Sequence, residues 1–342
     1  SDVDSPLREQ LEEGYLAACR EVGQLLIEAG RFRDAWMYLR PAGDKQLIRD
    51  QLARVVPDDD NADELIELSL YEGIDPERGF AWQLGRHGTC NSITTLEGLH
   101  AQLDPEGAKA CAHVLLRHVY NELRGNLRGH LHRLEGSAPD DLSVVQLIDR
   151  YPQLLADGSY HLDASHLAST VRFARVLTDE DQLRGAVGVG QYVCPLHVYL
   201  QFSGEAPLEE VYPSNLLFFQ ALLGVEVDEA IAYFTEQARR EAKAAEESEP
   251  TAFGTTTAAV ETLLILLSRI GRVAEALVAY GDFAPIGREL SPQAPTPLEL
   301  AQRSGNWDVY LEICRRRDDV MGYAAGQAAG RETGQTVAED SP

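Results

Sequence analysis

All nine histidines of this chain lie between residues 87 and 197, so any chemistry that imidazole performs belongs to its middle. Helical geometry separates several of them. His113 and His118 are five apart, and at ~100° per residue their side chains diverge by about 140° on a regular helix. His130 and His132 are two apart and diverge further. Both pairs sit among Arg117, Arg124, Arg128 and Arg133, a basic setting that resists a cation, and they read as surface or interhelical residues. His118 stands four before Glu122, the spacing of a helix-surface contact. His100 is expected at an exposed helix end.

The run Asp157-Gly158-Ser159-Tyr160-His161-Leu162-Asp163-Ala164-Ser165-His166 is different. Asp157-Gly158 marks a turn, and Asp163 or Ser165 can cap the helix that follows through Leu167, Val171 and Ala174. His161 then precedes that helix and His166 lies in its first turn, so the two rings are free to converge. Two imidazoles and a carboxylate within six residues suit Zn²⁺, Fe²⁺ or Mn²⁺. His161, Asp163 and His166 are therefore candidate metal ligands, with His197, His87, Cys90 or Cys194 completing the shell. The competing structural account makes Asp163 a cap and leaves both histidines bonded to loop carbonyls. No HExxH signature supports the ion independently.

Two further places carry reactive types. Arg86-His87-Gly88-Thr89-Cys90-Asn91-Ser92 reads as a polar loop between helices, with Asn91 or Ser92 as the next cap. There His87 is a candidate general base and Arg86 a counter-charge for an anionic substrate. In Gly188-Val189-Gly190-Gln191-Tyr192-Val193-Cys194-Pro195-Leu196-His197, Pro195 fits a first helical position. Cys194 then becomes an N-cap whose thiol is acidified by the helix terminus, with His197 one turn on: a candidate nucleophile pair, or two ligands at i, i+3. The structural alternatives are an ordinary capped turn and a small buried thiol. GxGxxG, GxSxG and kinase motifs are missing.

The elements that must position these residues are helices. Across residues 11–32, apolar side chains recur at Leu11, Tyr15, Ala18, Val22, Leu25, Leu26 and Ala29, near the i, i+3, i+4, i+7 template. No alternating strand run with hairpin turns appears. Asp75-Pro76-Glu77 and Asp104-Pro105-Glu106 each read as a helix start, with cap, proline and acid in order, and Ala138-Pro139-Asp140-Asp141 reads as a third.

Cys19, Val22, Gly23, Leu26, Gly30, Phe32, Ala35, Leu39 and Ala42 fall on the spacing of a helical hairpin. Gly23 and Ala35 allow close approach and Gly30 makes the turn. Leu264, Leu267, Gly271, Val273, Ala276 and Tyr280 repeat part of the pattern, as do Gly305, Trp307 and Cys314. Residues 224–238 match with a one-residue slip. This spacing resembles the tetratricopeptide repeat over about a third of the chain, without that repeat's closing proline. The resemblance implies stacked antiparallel helical hairpins, an α-solenoid, and a groove for a peptide or a partner helix.

The expected fold class is thus all-α, stacked hairpins with longer helices and polar loops at the centre. Residues 1–56 are expected to form N-terminal hairpins, 57–240 the histidine-rich region, 241–257 a linker, 258–329 C-terminal hairpins and 330–342 a disordered tail. The net charge of −25, from 30 basic and 55 acidic residues, repels phosphate backbones and anionic membranes, so neither is an expected partner. No apolar run approaches the ~18 residues of a membrane span. The longest, residues 258–270, contains Glu261 and Arg269. Residues 1–6 are polar and lack the basic start and apolar middle of a secretory leader, so none is expected there, and the chain does not begin with Met, as a piece of a longer protein would not. Five scattered cysteines without CxxC fit a reducing, cytoplasmic compartment. Two functions follow as expectations. One is a divalent-metal-dependent enzyme for a small, anionic substrate. The other is a non-catalytic scaffold for a protein or peptide.

Overall fold

The computed structural model describes residues 5–99, 101–247 and 256–332. His100, the core of the expected linker and most of the expected tail lie outside the described residues. Among the described residues there are sixteen α-helices and no strand; the one β-bridge, between Ser203 and Glu210, is isolated. In chain order the helices are α1 (Ser5–Glu28), α2 (Phe32–Leu39), α3 (Lys45–Leu52), α4 (Ala62–Ile66), α5 (Pro76–Leu99), α6 (Pro105–Glu135), α7 (Val144–Arg150) and α8 (Ala164–Ala174). They continue as α9 (Glu180–Val193), α10 (Val211–Leu222), α11 (Val227–Glu247), α12 (Ala258–Arg269), α13 (Val273–Phe283), α14 (Pro297–Ser304), α15 (Trp307–Arg316) and α16 (Val320–Glu332). The all-helical expectation is met.

Local chemistry explains the boundaries. Asp104 caps α6 by accepting from the Gly107 amide at 2.7 Å, with Pro105 at the first position, where no amide is needed. Asp75 accepts from the Arg78 amide at 3.3 Å at the head of α5. The third expected start is not used. The carbonyls of Pro139 and Asp140 accept from Arg128 and Arg124, and the Asp140 carboxylate pairs with Arg128. These contacts hold the segment outside a helix, and α7 begins only at Val144, under a reciprocal capping box of Ser143 and Gln146.

The chain divides into two compact units. One comprises Ser1–Asp140 with His161–Thr178; the other comprises Asp141–Tyr160 with Asp179–Pro342. In the first, α1, α2 and α3 pack on one another around Ile27, Ala35, Trp36, Leu39, Ile48 and Leu52, a core that extends to Leu65, Leu68 and Ile74. Gly23 is required there: a Cβ on it would stand 2.6 Å from the Leu39 side chain. Gly30, at φ 73°, turns the chain between α1 and α2. The 31-residue α6 carries Leu115, Val119, Leu123, Leu127 and Leu131 at intervals of four, all fully buried, and packs against α5 and α8. Each such side chain contributes ~1.5–3 kcal/mol of transfer free energy.

The second unit is built by succession. From α9 to α16 each helix packs on the next, and α10 with α12, α11 with α13 and α13 with α15 also touch. Gly271 and Gly305, at φ 83° and 70°, turn the chain at the ends of α12 and α14. The Glu241 carboxylate of α11 accepts from the amides of Ala259 and Val260 at 3.1 and 3.2 Å and from the Thr256 hydroxyl at 2.6 Å, so it serves as the cap of α12.

Candidate functional site

Asn126, His130 and Arg133 stand at i, i+4 and i+7 of α6 and share one face of that helix. The Asn126 amide donates to the His161 carbonyl at 2.8 Å, which fixes the residues leading into α8. His130 Nδ1 and His161 Nε2 then meet at 2.9 Å, with ring centroids 5.1 Å apart and planes tilted by 37°. Burial, then the neighbouring His130 and Arg133, push the His161 imidazole down to about 4 from its ordinary 6.5. At neutral pH His161 is uncharged, and one ring of the pair donates to the other.

Asp163 takes the capping role: its carboxylate accepts from the Ser165 amide at 2.8 Å and the Ser165 hydroxyl at 2.6 Å. These bonds hold its carboxyl below the usual range. His166 lies half-buried in the first turn of α8, and its carbonyl accepts from Thr170 Oγ1 at 2.7 Å. His161 therefore has His130 as its ring partner, and Asp163 Oδ1 is taken up by the helix start. Among the described residues no group of three or more His, Cys, Asp or Glu stands in position to hold a metal ion.

The expected loop at Arg86–Ser92 is a kink within α5, made where Gly88 adopts φ 74° and ψ 171°. Asn91 and Ser92 do not cap the second half. Their side chains donate back to the carbonyls of His87 and Gly88 at 3.0 and 2.8 Å, the i−4 bond that such side chains make within helices. His87 and Cys90 are exposed. Arg86 already holds a counter-charge: Nε lies 2.8 Å from Asp63, and Asp59 is 3.5 Å away. His118 meets Thr89 Oγ1 at 3.0 Å and stands 3.8 Å from Glu122, the helix-surface pair its spacing forecast.

Cys194 is the clearest correction. It closes α9 as its C-cap and heads no helix, because α9 runs on to Val193 and the chain leaves it at Pro195. It gains nothing from a helix N-terminus. Burial, then the Glu210 charge, push its thiol up to about 11, the opposite of an activated nucleophile. His197 instead caps the short turn Val198–Leu200, its Nδ1 accepting from the Tyr199 amide at 3.4 Å, and stacks on the Tyr199 ring with centroids 4.9 Å apart. Both residues belong to the second unit, whereas His87, Cys90, His161, Asp163 and His166 belong to the first.

Sequence reasoning missed a cleft in the second unit. A cavity of 410 Å³ opens where α11, the end of α13 and α15 come together. Ala242, Ala245, Phe283, Ile286 and Ile313 give it apolar walls, and Glu246, Asp282 and Arg316 stand among them. One wall is held firmly: Arg317 donates to the carbonyls of Tyr280, Ala284 and Pro285 at 3.3, 2.6 and 3.2 Å and lies over the Tyr280 ring at 4.7 Å. Ile286, on the loop after α13, is 71% exposed. The sequence signal was present in Phe283-Ala284-Pro285-Ile286, an apolar stretch at and just beyond the end of α13, where polar turn residues are usual.

No protein-family model matches the chain, and no curated protein or solved structure matches it.

Proposed function

We propose that this chain is a non-catalytic helical-repeat scaffold that holds a short segment of a partner protein in the cleft between α11, α13 and α15. The observation that carries this is the cleft itself. Its 410 Å³ lies in the range of ligand sites, and apolar walls surround a few polar groups. Further support comes from helices that pack on their neighbours and next-but-one neighbours, as in stacked hairpins that present one set of helices to a ligand. The volume suits one or two anchor side chains rather than a whole helix. With Arg316 drawn towards Glu312 at 3.8 Å, Glu246 and Asp282 at the cleft and an overall charge of −25, a segment with an apolar anchor flanked by Lys or Arg is the complementary partner.

The test is selection from a displayed random-peptide library, with each enriched peptide measured by fluorescence anisotropy. Peptides with a large apolar residue next to basic ones should emerge, and Ile286→Asp or Ala245→Trp should weaken them about tenfold or more, ~1.4 kcal/mol. Enrichment of no peptide, or binding indifferent to both substitutions, ends the proposal.

A second reading, a divalent-metal-dependent enzyme, has one observation in its favour. Two imidazole nitrogens on a tetrahedral ion stand about 3.3 Å apart, and His130 Nδ1 and His161 Nε2 are 2.9 Å apart. Metal analysis of chelator-free protein tests it. One Zn, Fe or Mn per chain, lost in His130→Ala, supports the enzyme; protein free of metal that takes up no added Zn²⁺ rules it out.

A further inference from the structure

The first helix has two apolar faces and the fold uses one. Cys19, Gly23 and Ile27 are buried against the hairpin partner α2. A second stripe, centred about 100° around the helix, runs through Leu11, Tyr15, Ala18, Val22 and Leu25. These five follow one another at intervals of four, three, four and three, the a/d spacing of a coiled-coil seam. All five are exposed, with Leu11 at 61%, Tyr15 at 59% and Leu25 at 59%. Arg8 and Glu21 flank the stripe, and no charge interrupts it between Leu11 and Leu25.

The N-terminal half of α1 makes the second face matter. Between residues 6 and 18 no side chain is buried, and only Leu16 is half-buried. A helical segment of that length has marginal stability in water without packing on an apolar face. The segment is helical, and the only apolar face it offers is the free one.

We propose that this stripe is a homodimer interface, with α1 of one copy lying antiparallel on α1 of a second. The order of side-chain sizes selects that arrangement. With the two-fold axis at Ala18, the small residue faces itself and lets the helices approach. Tyr15 lies against Val22 of the other copy, and Leu11 against its Leu25, so the stripe is complementary to its own reverse. The stripe from Leu11 to Leu25 is ~21 Å long. Pairing along it covers less than the ~800 Å² per partner of a standard stable interface. The dimer is therefore concentration-dependent. The net charge of −25 opposes the approach of two copies, so salt strengthens it.

Sedimentation velocity on the full chain from ~1 to ~200 µM, at low and high salt, tests this. Wild type should pass from monomer to dimer, at lower concentration in high salt, and Leu11→Glu with Leu25→Glu should stay monomeric with its thermal transition in place. In a Cys90→Ser background, Ala18→Cys should cross-link copies under mild oxidation, while Glu13→Cys, on the opposite side of the helix, should not. A wild type that is monomeric throughout, or a dimer that survives the double substitution, overturns the proposal. Efficient cross-linking by Leu11→Cys alone also overturns it, because that pairs the helices in parallel.

Discussion

The imidazole pair between α6 and the start of α8 predicts a specific response to acid. In the unfolded chain His161 titrates at its ordinary 6.5; in the folded chain it titrates at about 4. Between those values the unfolded chain binds more protons, so stability falls as pH falls through that window and the loss levels off below it. Between pH 7.5 and 5.5 the two values give about 1.3 kcal/mol. Discounting for the partly exposed ring leaves about 1 kcal/mol. Urea unfolding of wild type and His161→Gln at both pH values isolates this group, since the other titrating residues are common to the two proteins. The wild type should lose about 1 kcal/mol more than the variant on acidification. In the NMR spectrum the His161 ring proton should show no inflection near pH 6.5. Parallel losses in the two proteins, or an ordinary His161 titration, would refute the claim that burial against His130 and Arg133 keeps this ring neutral.

Two other outcomes follow from the structure. Iodoacetamide should label exposed Cys90 well ahead of Cys194, whose alkylation should keep rising with pH past 9, since its thiol titrates at about 11; a plateau below pH 9 would restore the activated-nucleophile account. Gly23→Val should cost about 1–3 kcal/mol by overpacking against Leu39, and Leu39→Ala should recover part of it in the double variant; thermal melts of the four proteins check both statements.

Period and punctuation made the helices readable. The fours and threes of α1, the Asp-Pro-Glu heads of α5 and α6 and the turn glycines Gly30, Gly271 and Gly305 act over a few residues, so they survive in the sequence. Pro139-Asp140 looked the same and failed, because Arg124 and Arg128 of α6 claim its carbonyls and carboxylate. Cys194 failed for a related reason: a proline can follow a helix as well as begin one, and only the length of α9 decides which. Local signals also placed His161 correctly before α8 and Asp163 at its cap. They had no means of supplying His130, 31 residues away, because that partnership depends on how α6 packs on α8. What the sequence did contain was the row Asn126, His130 and Arg133 on one helical face, visible once a loop is known to lie across it.

Charge separates the surfaces that this chain leaves free. The excess of 25 negative charges acts on every association the protein makes, but with opposite sign according to the partner. Bringing two copies together through α1 opposes like charges, so screening helps. Bringing a basic segment to the α11, α13 and α15 cleft joins unlike charges, so screening hurts. The stripe on α1 is apolar along its seam and gains its free energy from burial, which salt leaves nearly intact. The cleft has apolar walls too, but the charged Glu246, Asp282 and Arg316 stand among them, so the proposed basic segment would be held there partly by charge. A single salt titration read in both assays therefore discriminates between the surfaces. Self-association that strengthens while peptide binding weakens fits two independent sites of different chemistry. Parallel responses would mean that one of the two surfaces has been assigned the wrong partner.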